Sequence, residues 1–277
     1  MIPGAAPGKD LSVEDIIYSS QNSDLKLLKK ISRARNRRKL GKIILEGPRI
    51  IKQAFIVGCV FDIIFREPEF SDSRINNFIK QSGVKVRVVR KKLLAQMADT
   101  VTPQGIMAIV QQPEYSFSDL FQEGFTCILV LDCVQDPGNM GTLIRTAAAA
   151  GAGGVIALKG CVDIYNQKVL RANMGALFSI PVIADITIDV FQERFTGKDF
   201  KIIACDLNTQ QYYFEVDYDF PAIFIIGNEG QGIRPQLLQL ADYKVKIPLI
   251  GTIESLNAAI SGALVLYEYL RKNIENK

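Results

Sequence analysis

The chain has 277 residues, 48% hydrophobic and 22% charged, with 33 Lys and Arg against 29 Asp and Glu for a net charge of +4. That composition suits one large or two ordinary globular domains and argues against disorder or a coiled coil. It contains no His, which excludes a Ser-His-Asp or Cys-His nucleophile and a His-ligated metal site, and leaves acid and base work to Arg, Lys, Asp, Glu, Tyr or Cys.

The N-terminal stretch Met1-Ile2-Pro3-Gly4-Ala5-Ala6-Pro7-Gly8 lacks the charged start and apolar core of a leader. No later segment approaches the roughly 18 unbroken apolar residues of a membrane span, so a soluble, cytoplasmic protein is expected. In chain order the pattern then predicts a basic helix over about 24–36, a strand at Ile43–Glu46 and a helix at Arg49–Val57 with Pro48 in its first turn. Strands follow near Phe61–Phe65 and Val84–Val88, then a helix at about Lys91–Met97 and a last strand at Gly105–Gln111, making a compact α/β unit.

Residues 26–42 hold nine basic side chains, including Arg33, Arg35, Arg37, Arg38 and Lys39, and no acidic one; residues 85–92 add five more. Such a run repels itself unless a polyanion neutralises it, and without acidic i,i+4 partners it reads as a nucleic-acid surface rather than a solvated helix face. By segment, 1–110 carries 20 basic and 10 acidic residues and 125–277 carries 13 and 16, so the halves are +10 and −3. Between them, 111–124 has three acidic residues, no basic one, and Pro113, Ser116, Ser118 and Gly124, as a linker does.

The second half alternates apolar strands at Cys127–Asp132, Gly154–Leu158, Lys201–Cys205, Ala222–Ile226 and Tyr243–Ile247 with helical stretches, which is the pattern of a parallel α/β sheet. Ligands of such sheets bind at the carboxyl ends of the strands. The five cysteines, Cys59, Cys127, Cys133, Cys161 and Cys205, are odd in number, form no C-x-x-C and sit mostly in apolar runs, as free thiols in a reducing compartment do.

Three of the strand-end turns stand out. The first, Asp132-Cys133-Val134-Gln135-Asp136-Pro137-Gly138-Asn139-Met140-Gly141-Thr142-Leu143-Ile144-Arg145, has Asn139 as a helix N-cap and Arg145 on the second turn of that helix, within reach of a ligand above the strand ends. In the second, Gly227-Asn228-Glu229-Gly230-Gln231-Gly232, the glycines are in the wrong order for G-x-G-x-x-G, and a carboxylate sits among them. The third, Ile247-Pro248-Leu249-Ile250-Gly251-Thr252-Ile253-Glu254-Ser255-Leu256-Asn257-Ala258, leads into an apolar C-terminal helix. Ser255 reads as its N-cap, and Asn257 is harder to explain by capping.

In this order and spacing the turns closely resemble the three motifs of the SpoU/TrmH family of RNA ribose 2′-O-methyltransferases in the SPOUT superfamily, over nearly all of 125–277. The first half, with Leu45-Glu46-Gly47 and Thr102-Pro103-Gln104-Gly105, is similar to that family's substrate-binding domain, a small α/β unit like certain ribosomal proteins. The resemblance implies a parallel sheet whose C-terminal part is threaded as a deep trefoil knot. It implies S-adenosylmethionine held largely by backbone groups at Gly227, Asn228, Gly230, Ile247, Leu256 and Ala258, a homodimer, and no metal. It assigns Arg145 as base or activator of the 2′-hydroxyl, with Asn139, Glu229, Ser255 and Asn257 positioning substrate, cofactor loop and the Arg. It also makes RNA the polyanion that the basic run meets.

Ribosomal RNA of the 23S type is favoured as substrate, with transfer RNA and an antibiotic-resistance site on ribosomal RNA as alternatives. One departure is visible: where the family commonly continues with Val-Ser-Val-Ala after the motif Asn, this chain has Ala258-Ala259-Ile260-Ser261. An inactive RNA-binding protein of ribosome assembly is the rival of another class. A nicotinamide dehydrogenase is poorer still, because the glycines are misordered and the first half is basic.

Overall fold

The computed structural model describes residues 16–121, 127–195, 197 and 199–275. The stretch Met1–Gly8 and the last residues of the expected linker, 122–124, lie outside the described residues. The chain divides into two units, Met1–Pro113 and Glu114–Lys277.

The first unit runs α1 (Ser23–Ile31), α2 (Ala34–Leu40), β1 (Lys42–Glu46), α3 (Pro48–Ile56), β2 (Phe61–Arg66), α4 (Ser73–Ser82), β3 (Lys85–Val88), α5 (Lys91–Ala95) and β4 (Ile106–Gln111). Its sheet has the order β1-β4-β2-β3, with β4 antiparallel to both neighbours and β2 parallel to β3. Strand alternation divides the buried residues between two faces. Ile44, Ile63, Phe65, Met107 and Ile109 pack with Leu25, Leu28 and Ile31 of α1 and Leu93 and Leu94 of α5. The residues between them, Ile43, Leu45, Ile64, Ala108 and Val110, are buried too, and α3 packs against β1, β4 and α4.

The basic helix expected over 24–36 is two helices. The Ser32 hydroxyl donates to Lys29 O at 2.8 Å and Arg33 is extended (φ −87°, ψ 127°), so the first helix closes and a second begins. Arg37 folds back over the break: its Nη1 donates to Ser32 O at 2.6 Å and Ile31 O at 3.3 Å, satisfying carbonyls that a helix end leaves open. Arg37 is therefore 6% exposed and withdrawn from the basic surface expected to meet RNA, while Arg33, Arg35, Arg38 and Lys39 remain exposed.

The second unit runs β5 (Cys127–Leu131), α6 (Pro137–Ala149), β6 (Gly154–Leu158), α7 (Gln167–Asn173), β7 (Val182–Ile186), α8 (Ile188–Phe195), β8 (Lys201–Cys205), β9 (Ala222–Ile226), α9 (Pro235–Leu240), β10 (Tyr243–Val245) and α10 (Ala258–Glu275). All six strands are parallel, in the order β10-β8-β9-β5-β6-β7. Strands β5, β6 and β9 are buried at every residue because both faces are covered. Phe191, Phe195 and Leu237 of α8 and α9 lie on one face, and α6 and α10 pack on the other. Helix α6 is gripped on two sides: a Cβ at Gly141 would strike Ala172 of α7, and one at Gly262 of α10 would strike Leu143.

The edge strand β7 is absent from the sequence reading. Only Val182 and Ile183 are buried, Asp185 has φ 62°, and the ladder slips after Ala157, so neither an apolar run nor an alternation survives. Within the stretch expected as a linker, Gln111 still belongs to β4, and Tyr115, Phe117 and Leu120 pack into the second unit's core, with Leu120 1% exposed. No helix among the described residues is long and apolar enough to cross a membrane.

Candidate active site at the carboxyl ends of the parallel strands

Where β5 ends, Asp132 is fully buried and its N–H donates to Ile226 O of β9 at 2.8 Å. Its carboxylate takes the Arg234 N–H at 2.8 Å and Nε at 2.7 Å, with Nη2 2.5 Å away. Burial opposes the charge on Arg234, but Asp132 outweighs it and holds the guanidinium more firmly protonated. This pair pins the far end of the glycine turn, and Asn228 pins the near end by donating from Nδ2 to Cys133 O at 3.1 Å.

Between the pins the turn closes on itself. Asn228 and Gly232 exchange backbone hydrogen bonds of 3.1 and 2.9 Å, and Asn228 Oδ1 accepts from Gly230 N–H at 2.8 Å and Gln231 N–H at 3.1 Å. Two glycines are forced by this geometry. A Cβ at Gly227 would overlap the backbone of Gly232, and Gly232 itself sits at φ 68°.

The closed turn presents Glu229 to Asn139, whose Nδ2 donates to Glu229 Oε1. Asn139 Oδ1 accepts from Asn257 Nδ2 at 2.8 Å, and Asn257 Oδ1 accepts the N–H groups of Ala259 (2.9 Å) and Ile260 (3.3 Å) at the start of α10. The relay has one direction, because helix N–H groups can only donate and the carboxylate at its other end only accepts. All three turns of the sequence reading meet in it.

Three local readings are corrected here. Asp136, not Asn139, caps α6, accepting Asn139 N–H at 2.8 Å. Because α6 starts at Pro137, Arg145 opens its third turn rather than lying on its second. Asn257, not Ser255, caps α10, since that helix starts at Ala258. Arg145 is exposed and does not join the relay; its Nη1 lies 3.0 Å from Sδ of Met174, which stands at φ 55° after α7.

Beside the relay lies a cavity of about 300 Å³, lined by Gly227, Asn228, Gly230, Ile247, Leu256 and Ala258, together with Glu229 and Ser255. Asn139, Arg145 and Asn257 are outside its lining. Sequence reasoning missed a fourth wall, Cys205 at the end of β8 with Asp206, Leu207 and Asn208 after it. The strand-end rule pointed there, but no glycine or unusual carboxylate flagged it.

The cavity combines apolar walls (Ile226, Ile233, Val245, Leu249) with backbone groups and the carboxylates of Asp206 and Glu229. That donor set fits an adenine ring and the ammonium and sulfonium cations of S-adenosylmethionine. Cys205 also lines it, yet burial pushes this thiol up to about 12, which removes it as a thiolate nucleophile.

The model of the SpoU rRNA methylase family matches residues 126–267, and that of the MRM3-like substrate binding domain matches 22–108. An uncharacterized tRNA/rRNA methyltransferase of Synechocystis is 33% identical over 264 residues, covering 92% of this chain and 93% of its own. The 23S rRNA (guanosine(2553)-2′-O)-methyltransferase of Bacillus subtilis is 31% identical over 252 residues, covering 91% and 97%. Among solved structures, the AdoMet-bound rRNA methyltransferase from Sinorhizobium meliloti superposes with a TM-score of 0.83 at 28% identity, covering 92% of this chain and 97% of that one. The SpoU methyltransferase AviRb from Streptomyces viridochromogenes, in complex with AdoMet, gives 0.81 at 26%, covering 92% and 100%. The chain belongs to the SpoU rRNA methylase family and is an RNA methyltransferase that uses S-adenosylmethionine, with an N-terminal substrate-binding domain.

Proposed function

From this membership we propose that the chain methylates a ribose 2′-oxygen in ribosomal RNA of the 23S type, as a cytoplasmic homodimer. The observation that carries the reading is the relay from α10 through Asn257 and Asn139 to Glu229, which sets a carboxylate in the wall of the cofactor cavity. The resemblance to the Bacillus subtilis relative favours the 23S substrate over transfer RNA or a resistance site.

S-adenosylmethionine, when bound, supplies an electrophilic methyl carbon, so the chain's own task is to align the 2′-hydroxyl and ease loss of its proton. Asp206 and Glu229 would hold the cofactor's cationic groups, and the backbone at 227–230, Ile247 and Leu249 would hold its neutral ones. Arg145 is an anchor rather than a base, because a guanidinium stays protonated in proteins. As a cation it binds the phosphate beside the target ribose and lowers the energy of the developing alkoxide, whose proton leaves to water. Its exposure on α6 and its contact with a thioether, a weak acceptor, suit that role.

Dimerisation is supported by α10, which exposes Ile260 (52%), Tyr267 (48%) and Ile274 (63%) at seven-residue intervals along one stripe. A monodisperse, active monomer in light scattering would overturn the dimer. The function itself is tested by methyl transfer from labelled S-adenosylmethionine to unmodified ribosomal and transfer RNA, followed by nuclease digestion and mass spectrometry. A 2′-O-methylated nucleoside from ribosomal RNA is expected; a base-methylated product, or one from transfer RNA alone, would overturn the reading.

A further inference from the structure

The segment that follows β8 carries an aromatic cluster, Tyr212, Tyr213 and Phe214, that is part of neither the relay nor the lining of the cofactor cavity. Residues 211–214 run beside the end of β10: Lys246 N–H donates to Gln211 O at 2.9 Å, and Tyr213 N–H to Lys246 O at 3.0 Å. The Glu215 carboxylate takes the Tyr212 N–H at 2.8 Å and closes a single 3-10 turn. This backbone frame aligns the rings of Tyr212 and Phe214, whose centroids are 5.4 Å apart at 16° from parallel, with Tyr213 edge-on to Phe214 at 5.3 Å. Lys246 Nζ stands 5.4 Å from the centre of the Tyr212 ring. Phe214 nevertheless keeps 44% of its surface exposed, and Lys246 also lines the cavity, next to Leu207 and Asn208.

An ordered aromatic stack with an open side, beside a cation and the cofactor cavity, has the chemistry of a base-stacking site. Every nucleobase offers a π-face, and rings already held in place by a backbone frame lose little freedom on binding. Lys244 of β10 and Lys246 just past it are matched in number by Asp206 and Glu215 of the adjoining segment, so the cluster carries no excess of positive charge. It is thus unlike the run at 26–42, and ring stacking rather than phosphate pairing would hold its ligand. We propose that Phe214, backed by Tyr212 and Lys246, is a stacking platform for an unpaired nucleobase of the RNA substrate at the edge of the cofactor cavity. The proposal rests on the RNA methyl transfer inferred above.

The chain contains no Trp, so Phe214→Trp installs a single fluorescent reporter. Titration with unmodified 23S ribosomal RNA is expected to quench its emission saturably, whereas heparin, a polyanion without bases, leaves it unchanged. In methyl transfer, Phe214→Trp should keep the wild-type KM for that RNA, while Phe214→Ala and Phe214→Leu raise it roughly 5- to 150-fold, the equivalent of about 1–3 kcal/mol per stacked base. Calorimetric affinity for S-adenosylmethionine should be the same in all three. RNA retained in a filter assay without quenching, quenching by heparin equal to that by RNA, or a wild-type KM in Phe214→Leu would each overturn the platform and leave the methyltransferase reading untouched. Failure of the wild-type chain to bind any RNA would overturn both.

Discussion

In the second unit, side chains far apart in the sequence meet; in the first, sequence neighbours part company. Glu229, Asn139 and Asn257 come from three separate turns and form one hydrogen-bonded line. Arg33, Arg35, Arg37, Arg38 and Lys39 lie within seven positions, yet Arg37 is spent on the end of α1 while the others stay exposed. The difference is one of constraint. A parallel sheet brings its strand ends to one edge whatever the loop lengths, so residues just past the strands converge. A run of like charges fixes no geometry, and a helix end needing donors takes the arginine that reaches it.

The largest expected effect tests the convergent side of this contrast. Arg145→Ala should lower single-turnover methyl transfer by about 10²–10³-fold, the range for losing one transition-state charge partner, without moving the melting temperature of an exposed position. Equal rates would remove Arg145 from the mechanism. Asp132→Ala should instead act on folding, since it strands the Arg234 guanidinium. Breaking a buried pair costs about 3–5 kcal/mol, and the low end applies because Arg234 keeps 34% of its side-chain surface exposed. Chemical denaturation would read that loss, and a change below about 1 kcal/mol would mean that the pair does not pin the turn.

The divergent side is tested by adjacent arginines. Arg37→Ala should destabilise the first unit by about 1.5–3 kcal/mol through the lost charge-assisted hydrogen bonds to α1. Arg38→Ala, at an exposed side chain, should cost less stability than Arg37→Ala, weaken RNA binding, and reduce its salt-dependence slope by about one. If the two variants exchanged these phenotypes, the assignment of Arg37 to structure would be wrong.

The smallest effect belongs to Asp24, paired with Lys85 at 2.9 Å and Arg87 at 2.6 Å. Burial would raise this carboxyl, but the hydrogen bonds from Arg87 and Lys85 outweigh it and hold it below its usual value. Its contribution is therefore complete above the unfolded value of about 4 and lost as pH falls through the lower folded one. Asp24→Asn should cost about 0.2–1 kcal/mol near neutral pH, with the difference fading in acid denaturation curves. A difference that grew on acidification would contradict the pairing.

The sheet of the second unit was legible because its central strands are covered on both faces and so read as unbroken apolar runs; β7, covered less and bent at Asp185, was not. The cavity wall at Gly227, Ile247 and Leu256 was reached through the family resemblance, whereas Asp206 and Asn208 look in sequence like any polar turn after a strand. The position of Arg145 was misjudged by a turn because Asp136 and Asn139 are both able caps, and only the carboxylate's bond to Asn139 N–H decides between them. The broken basic helix was illegible for a similar reason. Ser32 and Arg33 carry no breaker signal, and the break depends on Arg37 arriving from the next helix.

Asn257 serves two masters, the first turn of α10 and the line that ends at Glu229. Assembly of the site and ordering of that turn are therefore one cooperative event, and the amide protons of Ala259 and Ile260 become its clock. Their deuterium uptake should follow the same opening equilibrium as the Asn139 side chain they are coupled to. A ligand that tightens the relay from the cavity side would slow exchange at the start of a helix it never touches.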